Sequence, residues 1–268
     1  MELRKLKVKE VDEFIKSIHI REYPWYIPQL LEDQRQALNK MAQALKAKYD
    51  KYSQEYHRVM NLWKIENELY DRGFKAVAGI DEAGRGPLAG PVVAAAVILP
   101  EKIFVEGIDD SKKISRMKRE LIYEIIQEEA IAIGVGIVDN ITIDRINILI
   151  ATKLAMVQAV KNLLLPPQYL LIDALELSEL PIKQKGIIGG DGKSISIAAA
   201  SIVAKVTRDR LMDGYDREYP EFSFKEHKGY GTADHYVKIK AYGLTPIHRK
   251  SFLKNLGDKC ENKQSSNW

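Results

Sequence analysis

Two acidic residues, Asp81 and Glu82, stand side by side in the stretch GIDEAGRGPLAGP, where a buried strand is expected to end. Asp173 closes the apolar run YLLID, and Asp191 lies in GGDGKS just before a long predicted helix. Carboxylates gathered at the ends of core elements repel one another unless a cation neutralises them. Oxygen ligands without nearby Cys or His favour Mg²⁺ or Mn²⁺. The residues therefore predict a divalent-metal site, such as a two-metal phosphodiesterase uses to activate water and stabilise the leaving oxygen.

Each of these acids also has an ordinary structural explanation. An Asp at a strand end often caps a helix or forms a turn, and for Asp173 or Asp191 alone that explanation is the more common one. Other acids, Asp109, Asp110 and Asp209, cannot be separated from the four by spacing. The residues alone leave open whether the acids converge.

A glycine-framed arginine, Gly84-Arg85-Gly86, follows the first acidic pair. Glycine has no Cβ, so backbone amides there can come close to a ligand. Arginine is a good donor to a phosphate or a sugar edge. The triplet is also compatible with a simple tight turn. Together with the acids, it indicates metals placed beside a nucleic-acid backbone.

Basic residues are clustered rather than spread along the chain. The net charge is only +4, but nine Lys/Arg and four acids lie between Lys225 and the C-terminus. A second basic cluster is SKKISRMKRE, residues 111–120. Clustered positive charge favours a polyanionic partner, although a solvated helix face has the same appearance.

The elements that must position these residues fall into two regions with different composition and apolar periodicity. Residues 1–74 contain one glycine, Gly73, and repeat apolar residues at helical spacing, which predicts a helical N-terminal extension. From residue 75 onward, KAVAGI, VVAAAVIL, IAIGVGIV and YLLID read as strands, and 115–128, 143–164 and 197–213 read as helices, with further helices after Thr232 and Ile247. This order predicts an α/β domain over 75–258 with a mixed sheet between helices. Residues 259–268 read as a disordered tail.

Several classes of protein do not fit the composition. No apolar run approaches the roughly 20 residues that span a bilayer. The charged N-terminus, MELRKLKVKE, lacks the apolar segment of a secretory signal. The single cysteine, Cys260, favours a reducing compartment. We therefore expect a cytoplasmic protein that does not associate with membranes.

Six segments resemble, in family order, the signatures of bacterial ribonuclease HII, the prokaryotic type 2 ribonuclease H. They are GIDEAGRGPLAGPVVAAAVIL, DDSKKIS, YLLID, GGDGKSISIAAASIVAKVTRDRLM, YPEFSFKEHKGYGT and GLTPIHRKSF. The resemblance covers roughly residues 75–253. It implies a ribonuclease H-like mixed five-stranded sheet flanked by helices, with a C-terminal helical part that grips substrate.

The resemblance also implies an activity. Such an enzyme cuts the RNA strand of RNA/DNA hybrids and incises 5′ to a single ribonucleotide embedded in duplex DNA, leaving 3′-hydroxyl and 5′-phosphate ends. It depends on Mn²⁺ or Mg²⁺, with two ions per site when substrate is bound. The expected partners are therefore RNA/DNA hybrids and ribonucleotide-containing DNA, bound by a monomer.

The family's functional residues carry over by motif. Its four catalytic and metal-binding acids match Asp81, Glu82, Asp173 and Asp191, and Asp81 would bridge both ions. The triplet Gly84, Arg85 and Gly86 would contact the 2′-hydroxyl and phosphate at the RNA–DNA junction. The ring of Tyr230 would pack on the deoxyribose that follows. The 2′-hydroxyl is the group that distinguishes RNA from DNA at one position. Further expected backbone contacts are Lys112, Lys113 and Ser194.

Some residues and some readings remain open. His227 and His248 are expected to be structural or to contact the nucleic-acid backbone rather than to catalyse, since an all-carboxylate site needs no further base. The alternatives are a type 3 ribonuclease H, which prefers longer RNA stretches, and a catalytically inert nucleic-acid-binding relative. All four acids lie outside residues 1–74, so that segment is expected to tune substrate affinity or localisation rather than chemistry.

Overall fold

The computed structural model describes residues 3–253 and divides into two compact units, Met1–Asn61 and Leu62–Trp268. This division by compactness falls at 61/62, so the helix Lys64–Asp71 of the expected extension belongs with the second unit. The bounds 1–74 and 75–258 stay a prediction. The predicted tail, 259–268, and Cys260 lie outside the described residues.

The first unit is helical, as its periodicity predicts. It contains α1 (Val8–Ser17), α2 (Tyr23–Leu31) and most of α3 (Gln36–Leu62). The apolar stripe of α3 begins at Leu38, which is fully buried and packs with Val11 and Leu30 from the two preceding helices. This small core belongs to the unit itself.

The second unit holds the sheet and its covering helices. Its strands are β1 (Val77–Ala83), β2 (Val92–Ile98), β3 (Ala132–Val138), β4 (Tyr169–Asp173) and β5 (Lys183–Ile187). Its helices are α4 (Lys64–Asp71), α5 (Arg116–Glu129), α6 (Asn140–Ile146), α7 (Ile148–Lys161), α8 (Ile195–Glu218), α9 (Phe224–His227) and α10 (Ala233–Tyr242).

Three elements differ from the sequence expectation. After Ile247, where a helix is predicted, the described residues form only the short 3-10 turn Lys250–Phe252. The predicted helix 143–164 is two helices, because Asn147 adopts a positive φ of 70° and its side chain caps α7 by accepting from Leu149 N and Ile150 N. The polar sequence KQKGI forms β5, a strand that apolar patterning does not indicate. Its side chains are largely exposed, which explains why the pattern is weak.

The five strands form one mixed sheet in the order β3-β2-β1-β4-β5, confirming the expected fold class. β2 runs antiparallel to β1 and β3, whereas β4 is parallel to both β1 and β5. β1, β4 and β5 therefore end at the same edge of the sheet. Among residues 3–253, no helix combines the length and apolarity that crossing a bilayer requires.

Two long helices cover the sheet. α7 packs against β2 and β3, and α8 packs against β1 and β2. The approach of α8 is unusually close: a Cβ at Gly79 of β1 would clash with the backbone of Ser196 and Ile197 in the first turn of the helix. Glycine at this position thus fixes where α8 begins relative to the end of β1.

Candidate active site

The carboxyl ends of β1, β4 and β5 bring the predicted acids together. Ile80 pairs with Ile172, so Asp81 and Asp173 follow at neighbouring strand ends. Asp191 lies in a short 3-10 turn, Gly190–Gly192, between β5 and α8. The amide N–H of Gly190 donates to Asp173 Oδ1 at 2.8 Å, which ties the turn to the end of β4.

Asp81 lies deepest in this group. Its residue surface is 5% exposed, and its Oδ1 accepts a hydrogen bond from the Glu82 amide at 2.7 Å. Burial raises the pKa of Asp81 well above its usual value, and repulsion from Glu82, Asp173 and Asp191 raises it further. A carboxylate held in this position favours a nearby cation.

Glu82 and Asp191 share that electrostatic situation. Burial raises the pKa of Glu82, which the neighbouring Arg85 guanidinium partly offsets through a 3.3 Å ion pair with Glu82 Oε1. Glu82 Oε2 is buried and has no hydrogen-bond partner among the described residues. Burial likewise raises the pKa of Asp191, and repulsion from Asp110 and Asp173 adds to the effect.

The acids suit a hard cation in their chemistry, although they are not arranged as a closed cage. Within residues 3–253, no group of three or more His, Cys, Asp or Glu side chains stands ready to hold a metal ion. Metal binding therefore requires rotation of these carboxylates, further ligands from substrate and water, or both. The unpartnered Glu82 oxygen and the mutual repulsion of the acids fit such an ion.

The Gly-Arg-Gly loop is held from behind by Arg249. This fully buried guanidinium donates to the main-chain carbonyls of Gly84 at 2.6 Å, Arg85 at 2.9 Å and Gly90 at 2.9 Å. Burial lowers the pKa of Arg249 to about 9, so it stays charged at pH 7. With the carbonyls engaged inward, the shape of the loop is fixed by Arg249.

A second buried arginine, Arg208 on α8, braces the other end of the loop. It donates to the carbonyls of Ala89, Pro91 and Lys228, and thereby joins the loop to the segment that carries Tyr230. Gly84 has a positive φ of 95°, and a Cβ there would clash with the Arg208 side chain. Only glycine satisfies both conditions.

Tyr230 stands beside the loop. A Cβ on Gly86 would lie 3.8 Å from Tyr230 Cε1, within ordinary van der Waals distance of the ring. The Arg208 guanidinium carbon lies 5.9 Å from the centre of the ring, a cation–π distance. Tyr230 remains 43% exposed. The structure therefore places an exposed aromatic ring next to the glycine triplet.

The predicted backbone contacts divide into two kinds. Lys112 faces the acids: burial alone would lower its pKa, but attraction from Asp110 and Asp81 raises it instead. Lys113 is exposed and pairs with Asp109 at 3.4 Å. Ser194 is fully buried, and its hydroxyl caps α8 and donates to Glu66. That placement favours a structural role for Ser194 over the expected substrate contact.

Three buried histidines lie beneath the tyrosine segment. His248 Nδ1 accepts from Thr245 N–H at 2.9 Å, so its proton sits on Nε2 and points to His235 Nε2 at 3.1 Å. His235 Nδ1 then donates to Tyr230 O at 2.9 Å. His227 stacks on His235, with ring centres 4.3 Å apart. Burial lowers the pKa of His235 and His248 to about 4, so both are neutral at pH 7.

Sequence reasoning did not assign three residues that shape this site: Asp110, Arg208 and Arg249. Asp110 lies in the same DDSKKIS segment as Lys112, and its proximity to Asp191 depends on the fold. Arg208 and Arg249 resemble any other basic residue until their burial is known. The one sequence feature that could have indicated all three is that each lies in a segment that resembles a family signature.

Comparisons with known proteins identify the family of this chain. The family model described as Ribonuclease HII matches residues 78–255. The chain belongs to the ribonuclease HII family. Two relatives named Ribonuclease HII support the assignment: that of Clostridioides difficile is 51% identical over 249 residues, 93% of this chain and 98% of the relative. That of Acetivibrio thermocellus is 48% identical over 250 residues, also 93% and 98%.

A solved structure shares the fold. The ribonuclease H2 of Pyrococcus horikoshii superposes with a TM-score of 0.57 at 28% identity, covering 72% of this chain and all of that one. The chain is therefore an endoribonuclease of the ribonuclease H class, as its sequence predicts. In this chain, the family match begins within β1 and leaves α1 to α4 outside it.

Proposed function

We propose that this ribonuclease HII cuts the RNA strand of RNA/DNA hybrids and also incises 5′ to a single ribonucleotide in duplex DNA, leaving 3′-hydroxyl and 5′-phosphate ends. The observation that carries the second activity is the position of the Tyr230 ring beside Gly86, which follows Glu82 by four residues. The residues that would recognise the RNA–DNA junction would then lie next to the acids that would hydrolyse the bond.

Asp81, Glu82, Asp173 and Asp191 would hold the divalent ions, Mn²⁺ or Mg²⁺, of which two are expected with substrate bound. The ions would supply an activated water and charge stabilisation at the leaving oxygen. The chain's own contribution is a set of carboxylates at a shared sheet edge, the deepest of them desolvated. Lys112 adds a positive charge beside them and is suited to a phosphate.

The glycine triplet would read the sugar. Its carbonyls at Gly84 and Arg85 are engaged by Arg249, which constrains how the peptide planes present their amides. Amides recognise a 2′-hydroxyl without regard to base. Tyr230 offers a flat apolar surface for a deoxyribose that lacks the 2′ oxygen. Recognition would thus depend on the junction and be independent of sequence.

The test uses an end-labelled DNA duplex with one embedded ribonucleotide, incubated with the full chain and Mn²⁺ or Mg²⁺. We expect one cut on the 5′ side of the ribonucleotide, none in EDTA and none with Asp81→Asn. A long RNA/DNA hybrid of the same length is cut in parallel. Cleavage of the hybrid but not of the single-ribonucleotide duplex would contradict the junction proposal and support the type 3 reading. Cleavage of neither substrate would contradict both proposed activities.

A further inference from the structure

Glu66, on α4, is a buried carboxylate that the proposed reaction does not use. It is fully buried, and its Oε1 accepts hydrogen bonds from Ser194 Oγ at 2.5 Å and from Ser196 N–H at 3.1 Å. Its Oε2 and the nearby Ser196 Oγ are buried without a hydrogen-bond partner among the described residues. Burying a carboxylate is costly, so a retained one calls for an explanation.

The contacts of Glu66 converge on the start of α8. Ser194 is the N-cap of that helix, and its hydroxyl also accepts from Ile197 N–H at 3.3 Å. Burial raises the pKa of Glu66, and the hydrogen bonds from Ser194 and Ser196 oppose that rise. A negative charge at this end of a 24-residue helix is in turn favoured by the helix dipole and by the free amides of the first turn. Glu66 therefore fixes the N-cap from outside the helix.

That N-cap is two hydrogen bonds away from the acids. Ser194 N–H donates to Gly190 O at 2.8 Å, and Gly190 N–H donates to Asp173 Oδ1 at 2.8 Å. Asp191 lies within the loop that these bonds close. A path of direct contacts thus runs from Glu66 through Ser194 and Gly190 to Asp173, with Asp191 on the way.

We propose that Glu66 is a positioning residue for the metal site, which holds the turn carrying Asp191 in place by anchoring Ser194 and Ser196. The inference rests on the proposed metal dependence. It extends the working parts of the enzyme beyond residues 78–255, the range that the family model matches. It also modifies the expectation that residues 1–74 act only on affinity or localisation.

The test measures Mn²⁺ binding to the full chain without nucleic acid, by isothermal titration calorimetry, beside thermal unfolding of each variant. Glu66→Ala is expected to weaken Mn²⁺ binding about tenfold, as loss of a group that orients metal ligands typically does. Glu66→Gln keeps an oxygen that can accept both bonds and should bind Mn²⁺ nearly as the wild type does. Glu68→Ala, an exposed acid on the same helix, is the matched control and should change nothing.

A second route removes the same bond from its other end. Ser194→Ala should also weaken Mn²⁺ binding. Combined with Glu66→Ala it should add little, because both changes break the same Glu66–Ser194 hydrogen bond. Ser115→Ala removes the cap of α5 and controls for capping alone. If Glu66→Ala does not fold, Ser194→Ala decides the matter.

The outcomes are distinct. Unchanged Mn²⁺ affinity in folded Glu66→Ala or in Ser194→Ala would overturn the positioning role, whatever the loss of stability. A wild-type chain that binds no Mn²⁺ at millimolar concentration, and that cleaves the hybrid equally well in Mn²⁺ and in EDTA, would instead refute the metal dependence on which the inference rests. Weaker binding in both variants, with rescue by Glu66→Gln, would support it.

Discussion

The two sides of the candidate active site bury charge of opposite sign and treat it in opposite ways. On the acid side, Asp81, Glu82 and Asp191 are desolvated and repel one another, and a buried Glu82 oxygen has no hydrogen-bond partner in the described part of the chain. On the loop side, Arg208 and Arg249 each donate three hydrogen bonds to main-chain carbonyls. The acid side leaves repulsion between carboxylates that a bound cation would relieve, whereas the hydrogen bonds of the loop-side arginines are supplied by the chain itself.

This difference separates two tasks. Unrelieved repulsion is what a site needs if a cation is to bind there, and it is maintained at the expense of stability. A satisfied network produces one fixed loop shape, which recognition of a small sugar hydroxyl needs. Mutations on the two sides should therefore move activity and stability in different combinations.

The largest effect is expected from Asp81→Asn. Cleavage should fall at least about a thousandfold, about 4 kcal/mol, because a central metal ligand is lost. In EDTA, the unfolding free energy should rise by about 1 kcal/mol, because one of several repelling charges is gone. Rates on a hybrid substrate with Mn²⁺ and thermal unfolding in EDTA measure both. Asp71→Asn, an exposed acid, is the control, and a destabilised Asp81→Asn would break the comparison.

Arg249→Ala should give the opposite stability result. It leaves three inward-facing carbonyls without donors, and we expect a loss of about 3 kcal/mol in unfolding free energy. Selectivity for the single-ribonucleotide duplex over a long hybrid should decline as the loop loosens. Urea unfolding and paired cleavage rates measure these, with exposed Lys250→Ala as the neighbouring control. A variant Arg249→Ala with unchanged stability and selectivity would contradict the role of Arg249 in fixing the shape of the loop.

The buried histidines predict a pH effect confined to the loop side. The folded pKa of His235 and His248, about 4, lies below the unfolded value near 6.5. The unfolded chain therefore binds more protons at these two histidines between these values, and their contribution to stability should fall by about 1–3 kcal/mol as the pH drops from about 6.5 to 4. The raised pKa values of Asp81, Glu82 and Asp191 act in the opposite direction. The stability difference between wild type and His235→Gln across this range isolates the effect. A difference that stays constant with pH would contradict it.

The smallest expected effect belongs to Tyr230. Tyr230→Ala should lower kcat/KM on the single-ribonucleotide duplex about fivefold, about 1 kcal/mol, through loss of ring contact. A long hybrid should be affected less, and Tyr230→Phe should behave nearly as the wild type because the face of the ring is kept. Tyr242→Ala, also exposed, is the control. Equal losses on both substrates would assign Tyr230 to general binding rather than to the junction.

The sequence was most informative where composition alone sets the structure. The apolar runs of β1, β2, β3 and β4 could be predicted because those strands are mostly buried, and the acids at their ends followed from the same runs. β5 was missed because a half-exposed edge strand carries little apolar pattern. The break at Asn147 was missed because a single residue with positive φ leaves no periodic trace.

The residue types of the site could be predicted from the sequence, but the contacts between those residues could not. Asp81 and Asp173 could be placed at strand ends, yet only the parallel register of β1 and β4 makes those ends adjacent. Arg208, Arg249 and Glu66 act through contacts with residues far away in sequence, and one chain gives no sign of such pairs. Ser194 shows the converse: its motif suggested a ligand contact, and its burial indicates a cap.

The turn between β1 and β2 joins the two sides covalently. From Asp81 to Gly84 the chain advances three residues, which span at most about 10 Å even when extended. In an enzyme that binds the sugar with these glycines and hydrolyses the phosphodiester at these acids, the short turn therefore limits the distance between the two events. Only the backbone of this turn separates the two groups along the chain. The offset between the recognised nucleotide and the broken bond would then be constant from one turnover to the next, whatever the bases on either side.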